Sequence, residues 1–271
     1  MLAIQPVREE IFPEMSGDDL ILLAPEDTFH FRCHPQLACF NQCCRDLNQA
    51  LTPYDVLRLR RGLGITSGEF LRNYAAEHVG PTTGLPIVSL RFDAGRQWAC
   101  PFVSASGCRV YADRPSSCRL YPLARGVQYS REDRTLRVQY ALIEEEHCLG
   151  FGEPQMQTVA QWIVSQDLAL YHELNDAMMS LLSLKNRLRP GSLPVDLKPL
   201  ARMALYDLDT LKGEALKGRL PGLDYPKLPP PPPGDATDEM WLRWALVWLQ
   251  RLLFGDIGIE RDQIQGARPC P

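Results

Sequence analysis

The sequence lacks most of what announces a familiar enzyme. It has no P-loop, no dinucleotide fingerprint, no HExxH pair and no G-x-S-x-G elbow. Gly62-Leu-Gly64 has neither the third glycine nor the preceding strand of a nucleotide loop. No glycine-rich loop of the usual methyltransferase kind is present, and the Glu144-Glu145-Glu146 run reads as a solvated charge run. No run of 18 apolar residues exists, so no membrane span is expected. The opening MLAIQPVREEIFPEM has no basic n-region and no apolar h-region, so no signal peptide is expected and the chain is read as cytoplasmic. Positive charge is not in excess. With a net charge of -4 and a pI of about 5.8, no broad phosphate-binding field is expected, and nucleic acid is not a partner. No repeat stands out at a period of 20 to 50 residues.

Cysteine is almost absent from the last 120 residues, where only Cys270 occurs, read as a free thiol on the tail. The other eight fall within a stretch of 116 residues, as Cys33-x5-Cys39-x3-Cys43-Cys44, Cys100-x7-Cys108-x9-Cys118 and Cys148. Thiols gathered this way staple a secreted domain, hold a metal or carry redox chemistry. A chain of 271 residues with 45% hydrophobic composition can build a core without staples, and a reducing compartment favours metal over disulfides. Thiolates are soft anionic ligands suited to zinc, copper(I) or iron–sulfur clusters, and eight are enough for two four-ligand sites. The spacing does not choose the metal. In extended backbone the neighbours Cys43 and Cys44 point to opposite faces and serve two sites; through a tight bend they wrap one larger cluster. His30, His34 and His147 lie beside the cysteines and read as solvated loop residues or outer donors rather than ligands.

Phe31-Arg-Cys33…Cys39-Phe-Asn-Gln-Cys43-Cys44 resembles the opening of the YkgJ family of cysteine-cluster proteins. Cys100-Pro-Phe102 with Cys108-Arg-Val-Tyr111 resembles its second element. Arg114-Pro-Ser-Ser-Cys118-Arg-Leu-Tyr121-Pro122 resembles its third. The likeness covers roughly residues 29 to 150, and the family's usual opening has tighter, two-residue gaps. Cys148, in His-Cys-Leu-Gly, resembles a later Cys-Gly element of longer members. The resemblance implies a zinc- or iron-chelating domain, with an iron–sulfur cluster or zinc as cofactor. Its ligands would be Cys33, Cys39, Cys43, Cys44, Cys100, Cys108, Cys118 and Cys148. Some relatives resemble flagellin lysine N-methylases, which makes a protein-modifying enzyme an alternative; a metal carrier or sensor is another. Whether the chain is an enzyme stays open.

Residues 1–28 read as an N-terminal arm, 29–153 as the cysteine-cluster metal-binding domain and 154–220 as a helical region. Residues 221–237 read as a Pro-rich linker, with five consecutive prolines from Pro229 to Pro233, and 238–271 as a C-terminal helix and tail. Thr52-Pro53-Tyr-Asp55 starts a helix that Gly62 and Gly64 stop; Arg58, Arg60 and Arg61 are expected outward. Thr66-Ser-Gly-Glu69 is a capping box for a second helix through about Glu77. Residues 87–92 read as a strand, and 127–129 and 136–140 as a pair around the charged turn Ser130 to Arg134. Met156, Val159, Ile163, Leu170, Leu174, Met178 and Leu181 lie on one stripe, which predicts a helix from Pro154 to Asn186. Residues 198–217 and 238–254 predict two more helices. Arg114 and Arg119 bracket Cys118 and either neutralise a negative cluster or pair with Asp93 or Asp113; Tyr111 and Tyr121 are expected to pack over the site. The Trp-rich last helix or the Pro-rich segment is the expected surface for a protein partner. The fold class is α+β: a cysteine-rich, metal-organised N-terminal region of short helices and strands, then a mainly helical C-terminal region.

Overall fold

The computed structural model describes residues 20–129 and 136–255. The protein is α+β, with small antiparallel sheets and a helical C-terminal region. Its strands are β1 (Leu20–Leu23), β2 (Thr28–His30), β3 (Ala50–Leu51), β4 (Ala75–Val79), β5 (Pro86–Leu90), β6 (Val103–Ser104), β7 (Gly107–Cys108), β8 (Leu123–Tyr129), β9 (Leu136–Ile143) and β10 (Met156–Thr158). Its helices are α1 (Pro53–Leu63), α2 (Ser67–Tyr74), α3 (Ser116–Leu120), α4 (Val159–Ser165), α5 (Ala169–Leu188), α6 (Leu197–Tyr206), α7 (Leu208–Leu216) and α8 (Asp238–Phe254). Two compact units form, each from two stretches of chain: Met1–Leu47 with Phe92–Leu170, and Asn48–Arg91 with Tyr171–Pro271.

Local chemistry sets the helix starts. The Thr52 hydroxyl accepts from the Asp55 N–H at 3.2 Å, and the Asp55 carboxylate accepts from the Thr52 N–H at 2.9 Å. Pro53 sits in the first turn, where no partner is needed for its absent N–H, and Gly64 closes α1 at φ 66°. The same reciprocal cap recurs at Thr66 with Glu69 and at Thr158 with Gln161. The expected pairing of 127–129 with 136–140 is present and longer, running to Leu123↔Leu142. The turn Ser130 to Arg134, the first 19 residues of the arm and Cys270 lie outside the described residues.

Three helix expectations are corrected. Helix α2 stops at Tyr74 rather than near Glu77, because Ala75–Val79 leave it to pair with β5. The single helix from Pro154 to Asn186 is instead a strand and two helices. Met156–Thr158 pair with β2, which leaves Met156 62% exposed rather than inward, and α4 and α5 are separated where Asp167 takes φ 52°. The helix over 198–217 breaks at Asp207, between α6 and α7.

The first unit is built on β1-β9-β8, with β10-β2 and the β6-β7 hairpin. Its aromatic centre is Phe31, 2% exposed, whose ring meets Tyr121, Phe151 and Trp162 at 5.7, 5.3 and 5.7 Å between centroids. The Trp162 indole donates to the Leu120 carbonyl at 2.9 Å, so this large half-buried ring keeps its N–H satisfied.

The second unit pairs β3-β5-β4 with α1, α2 and α5 to α8. Arg60 turns out not to face outward: it pairs with Asp238 at 2.5 Å, beside Arg61 and Lys212 on the same carboxylate. Trp241, Trp244 and Trp248 of α8 are buried, and the Pro-rich segment supplies acceptors for all three. Their indoles donate to the carbonyls of Pro233, Pro229 and Pro221 at 3.3, 2.9 and 3.0 Å. Proline-rich backbone suits this task, since it stays extended and its carbonyls are not spent on its own helix. Within this unit the segment is therefore a clasp along α8, and the indole faces are already covered.

Two substitutions test these assignments by denaturant unfolding of the full chain. Trp248→Ala is expected to cost about 3–5 kcal/mol, and Thr66→Ala about 1 kcal/mol through the lost cap. Equal, negligible effects of both would contradict the packing and capping described.

Candidate metal centre

All eight cysteines of the described residues lie in the first unit, and none of them is joined in a disulfide. Two sets of backbone contacts bring them together. In the first, the N–H of Arg32 donates to the Gly150 carbonyl at 3.1 Å, which sets Cys33 beside the Cys148 turn. Glycine is needed at 150 because a Cβ there would stand 2.8 Å from the Phe31 ring and 3.0 Å from the Arg32 carbonyl. The N–H of Leu149 then donates to Cys39 Sγ at 3.3 Å. Successive turns close the loop from His34 to Cys44: Leu37 to His34 at 3.1 Å, Phe40 to Leu37 at 2.9 Å and Gln42 to Cys39 at 2.9 Å. Cys43 and Cys44 sit in a 3₁₀ turn entered through Asn41 at φ 69°, so they occupy a tight bend and not an extended strand.

The second set hangs from Cys44. Its carbonyl accepts from the Cys100 N–H at 2.9 Å, and the Cys100 carbonyl accepts from Val103 at 3.2 Å. The β6-β7 hairpin pairs Val103 with Cys108, and the Arg109 N–H donates to Phe102 at 2.9 Å. Arg114 fixes the approach to α3, which carries Cys118. It donates to the Tyr111 carbonyl at 2.6 Å and to the Gln166 side chain, with its guanidinium carbon 3.8 Å from the Tyr111 ring centre. Arg119 donates to the Gln166 carbonyl at 2.8 Å and to that of Ala112.

The sulfurs feel one another. Partial loss of water around its sulfur pushes the Cys33 thiol up to about 11, helped by the charges of Cys43, Cys148 and Cys39. The hydrogen bond from Cys44 lowers Cys43 to about 7, against burial and the charge of Glu145. Cys44 is correspondingly raised, first by that bond, then by burial and by Cys43, Cys100 and Cys118. Cys100 and Cys108 are raised by burial. Amides of Phe102 and Val103, with Arg109, offset this at Cys100; the Val110 amide, Arg114 and Arg109 offset it at Cys108. Arg114 is itself lowered by burial, while the charges of Cys118 and Cys108 work the other way. The guanidinium is thus within reach of the thiols, as expected if it offsets negative charge.

Several neighbours differ from the sequence expectation. Tyr111 is 63% exposed and carries Arg114 over its ring, so it does not pack over the sulfurs. Tyr121 does pack, against Phe31, and its hydroxyl donates to Glu145 at 2.8 Å. Burial, then Cys148 and Glu145, raise that phenol. Glu145 is therefore joined to the cysteine region rather than merely solvated, a role that an acidic run in the sequence does not signal. His34 bonds Gln36 at 2.8 Å and Glu153 at 3.2 Å, and His147 lies 3.7 Å from Glu145. An open groove of about 400 Å³ in the same unit is lined by Phe29, His30, Glu144 and Phe151 among others, and by none of the cysteines.

Among the described residues, no three His, Cys, Asp or Glu side chains converge closely enough to hold an ion. The donor set nevertheless fits one: eight thiols, none joined in a disulfide, several within electrostatic reach of one another, with amide and arginine donors around them. Residues 32–149 match the family model CxxCxxCC, described as "Putative zinc- or iron-chelating domain". The match supports the reading of this stretch as a cysteine-cluster domain. It spans a little under half of the chain, holds all eight of these cysteines and bears out the resemblance read from their pattern. No curated protein and no solved structure matches the chain. The match supports metal binding in general; the kind of metal is a separate question.

The uneven thiols give a direct check. In metal-free protein a short iodoacetamide pulse is expected to label Cys43 faster than Cys33, since both are exposed and only Cys43 is lowered. The thiolate is the reactive form, so the Cys43 rate should fall as pH drops through about 7. Equal rates at the two positions would contradict the arrangement.

Proposed function

We propose that the CxxCxxCC domain holds zinc or an iron–sulfur cluster through the thiolates of Cys33, Cys39, Cys43, Cys44, Cys100, Cys108, Cys118 and Cys148. The observation that carries this reading is the gathering of eight cysteines in one unit with no disulfide among them, several close enough for their charges to act on one another. When ionised, such thiols repel; a bound cation turns that repulsion into attraction and couples binding to folding. Bound zinc would supply a closed structural centre, and a bound cluster would supply one-electron redox chemistry. The chain's own part is to present the sulfurs, donate amide hydrogen bonds to them and offset their charge with Arg109 and Arg114. The reducing cytoplasm is the compartment in which these thiols stay available.

A metal-carrying or sensing role is the second reading. Cys33, Cys43 and Cys118 are exposed, which gives an outside chelator or acceptor protein access to the sulfurs.

Metal and acid-labile sulfide analysis on full chain purified without oxygen tests the proposal, with a visible spectrum alongside. Iron with sulfide and a spectrum that bleaches on reduction would assign a cluster. Zinc without sulfide or colour would assign a structural or metal-handling centre. Protein that is folded, reduced and free of both, and that takes up neither on reconstitution, would overturn the reading.

A further inference from the structure

The run Pro229 to Pro233 has little conformational choice. Proline fixes its own φ, and a residue that precedes proline is held out of the helical region. Leu228 to Pro233 therefore run extended, with no hydrogen bond inside the run. One side of it is taken up by α8. The carbonyls of Pro229 and Pro233 accept from the Trp244 and Trp241 indoles, and Leu228, Pro231 and Pro232 are half-buried.

The other side is open. Pro230 and Pro233 are exposed and stand one turn of a polyproline helix apart, so their rings share an outward face. The carbonyls of Pro230, Pro231 and Pro232 accept from no donor among the described residues. Lys227 comes three residues before Pro230. It is exposed, turns the chain into the run at φ 62°, and makes no ion pair among the described residues.

We infer that Lys227, Pro230 and Pro233 form a docking ridge for a partner protein whose groove is lined by aromatic rings and bears a carboxylate at one end. Aromatic faces suit exposed proline rings, donors on such a groove reach the open carbonyls, and the carboxylate meets the Lys227 ammonium. The indoles of α8 already hold the inner side of the run by the same chemistry. That hold also orders the ridge in advance, so docking on it carries a small entropy cost. The ridge lies in the second unit and needs no bound metal.

Titration calorimetry of the full chain tests the ridge. The probe is a purified SH3 domain selected to bind Lys-x-x-Pro-x-x-Pro peptides, and the reference is a synthetic peptide of residues 226–234. The full chain should bind the probe at least as tightly as the peptide does. In isotope-labelled chain the indole N–H protons of Trp241 and Trp244 should stay protected from solvent exchange when the probe binds. Pro230→Ala with Pro233→Ala removes both outer rings and keeps every carbonyl; it should weaken binding about tenfold or more while the far-UV circular dichroism is unchanged. Lys227→Glu should weaken it several-fold, and Pro231→Ala, on the half-buried side, far less than the double variant. Binding by the peptide and not by the chain would show the ridge hidden by the fold and overturn it. So would binding by neither, binding that strips protection from the indoles, or equal binding by the double variant. None of these results bears on whether the cysteines hold a metal.

Discussion

Mutual repulsion between crowded thiolates is the constraint on which the first unit turns. Loss of water raises the Cys33 thiol and the hydrogen bond with Cys43 raises Cys44, and the charges of neighbouring sulfurs add to both. A fold that gathers eight such groups without joining any as disulfides carries an electrostatic penalty that a soft cation relieves. The surrounding chain is organised to the same end. Amides and arginines are turned toward sulfur, and a glycine at 150 lets Phe31 and Arg32 approach the Cys148 turn.

The apolar framework fixes where this penalty is concentrated. Phe31 sits two residues before Cys33 and Phe151 three residues after Cys148, and the contact between their rings anchors both ends of the cysteine stretch on one aromatic centre. Trp162 closes that centre from α4 and satisfies its N–H on Leu120. The second unit solves a different problem, that of burying three indoles on one helix, and uses the proline-rich segment as a line of carbonyl acceptors. Burial of aromatics with their polar edges satisfied is thus common to both units.

Legibility in the sequence follows the range of the interaction. The caps at Thr52 and Thr66 are readable because they act over three residues, and α8 is readable as a sustained apolar run. The cysteine-cluster family is readable from three short pieces in order. The break at Asp167 is not, since no glycine or proline marks it, although the residue takes φ 52°. Met156 follows the helical stripe yet pairs as a strand with His30, more than a hundred residues away. The tie between Glu145, Tyr121 and Cys148 is equally hidden, because a carboxylate in an acidic run gives no sign of a phenol folded onto it.

X-ray absorption at the edge of the bound metal, on the full chain, tests the central claim most directly. The account requires a shell made of sulfur alone. For zinc this means about four sulfurs near 2.3 Å; for a cluster it means sulfur neighbours with iron beyond them. A first shell containing nitrogen or oxygen ligands would contradict a centre built from these eight thiolates.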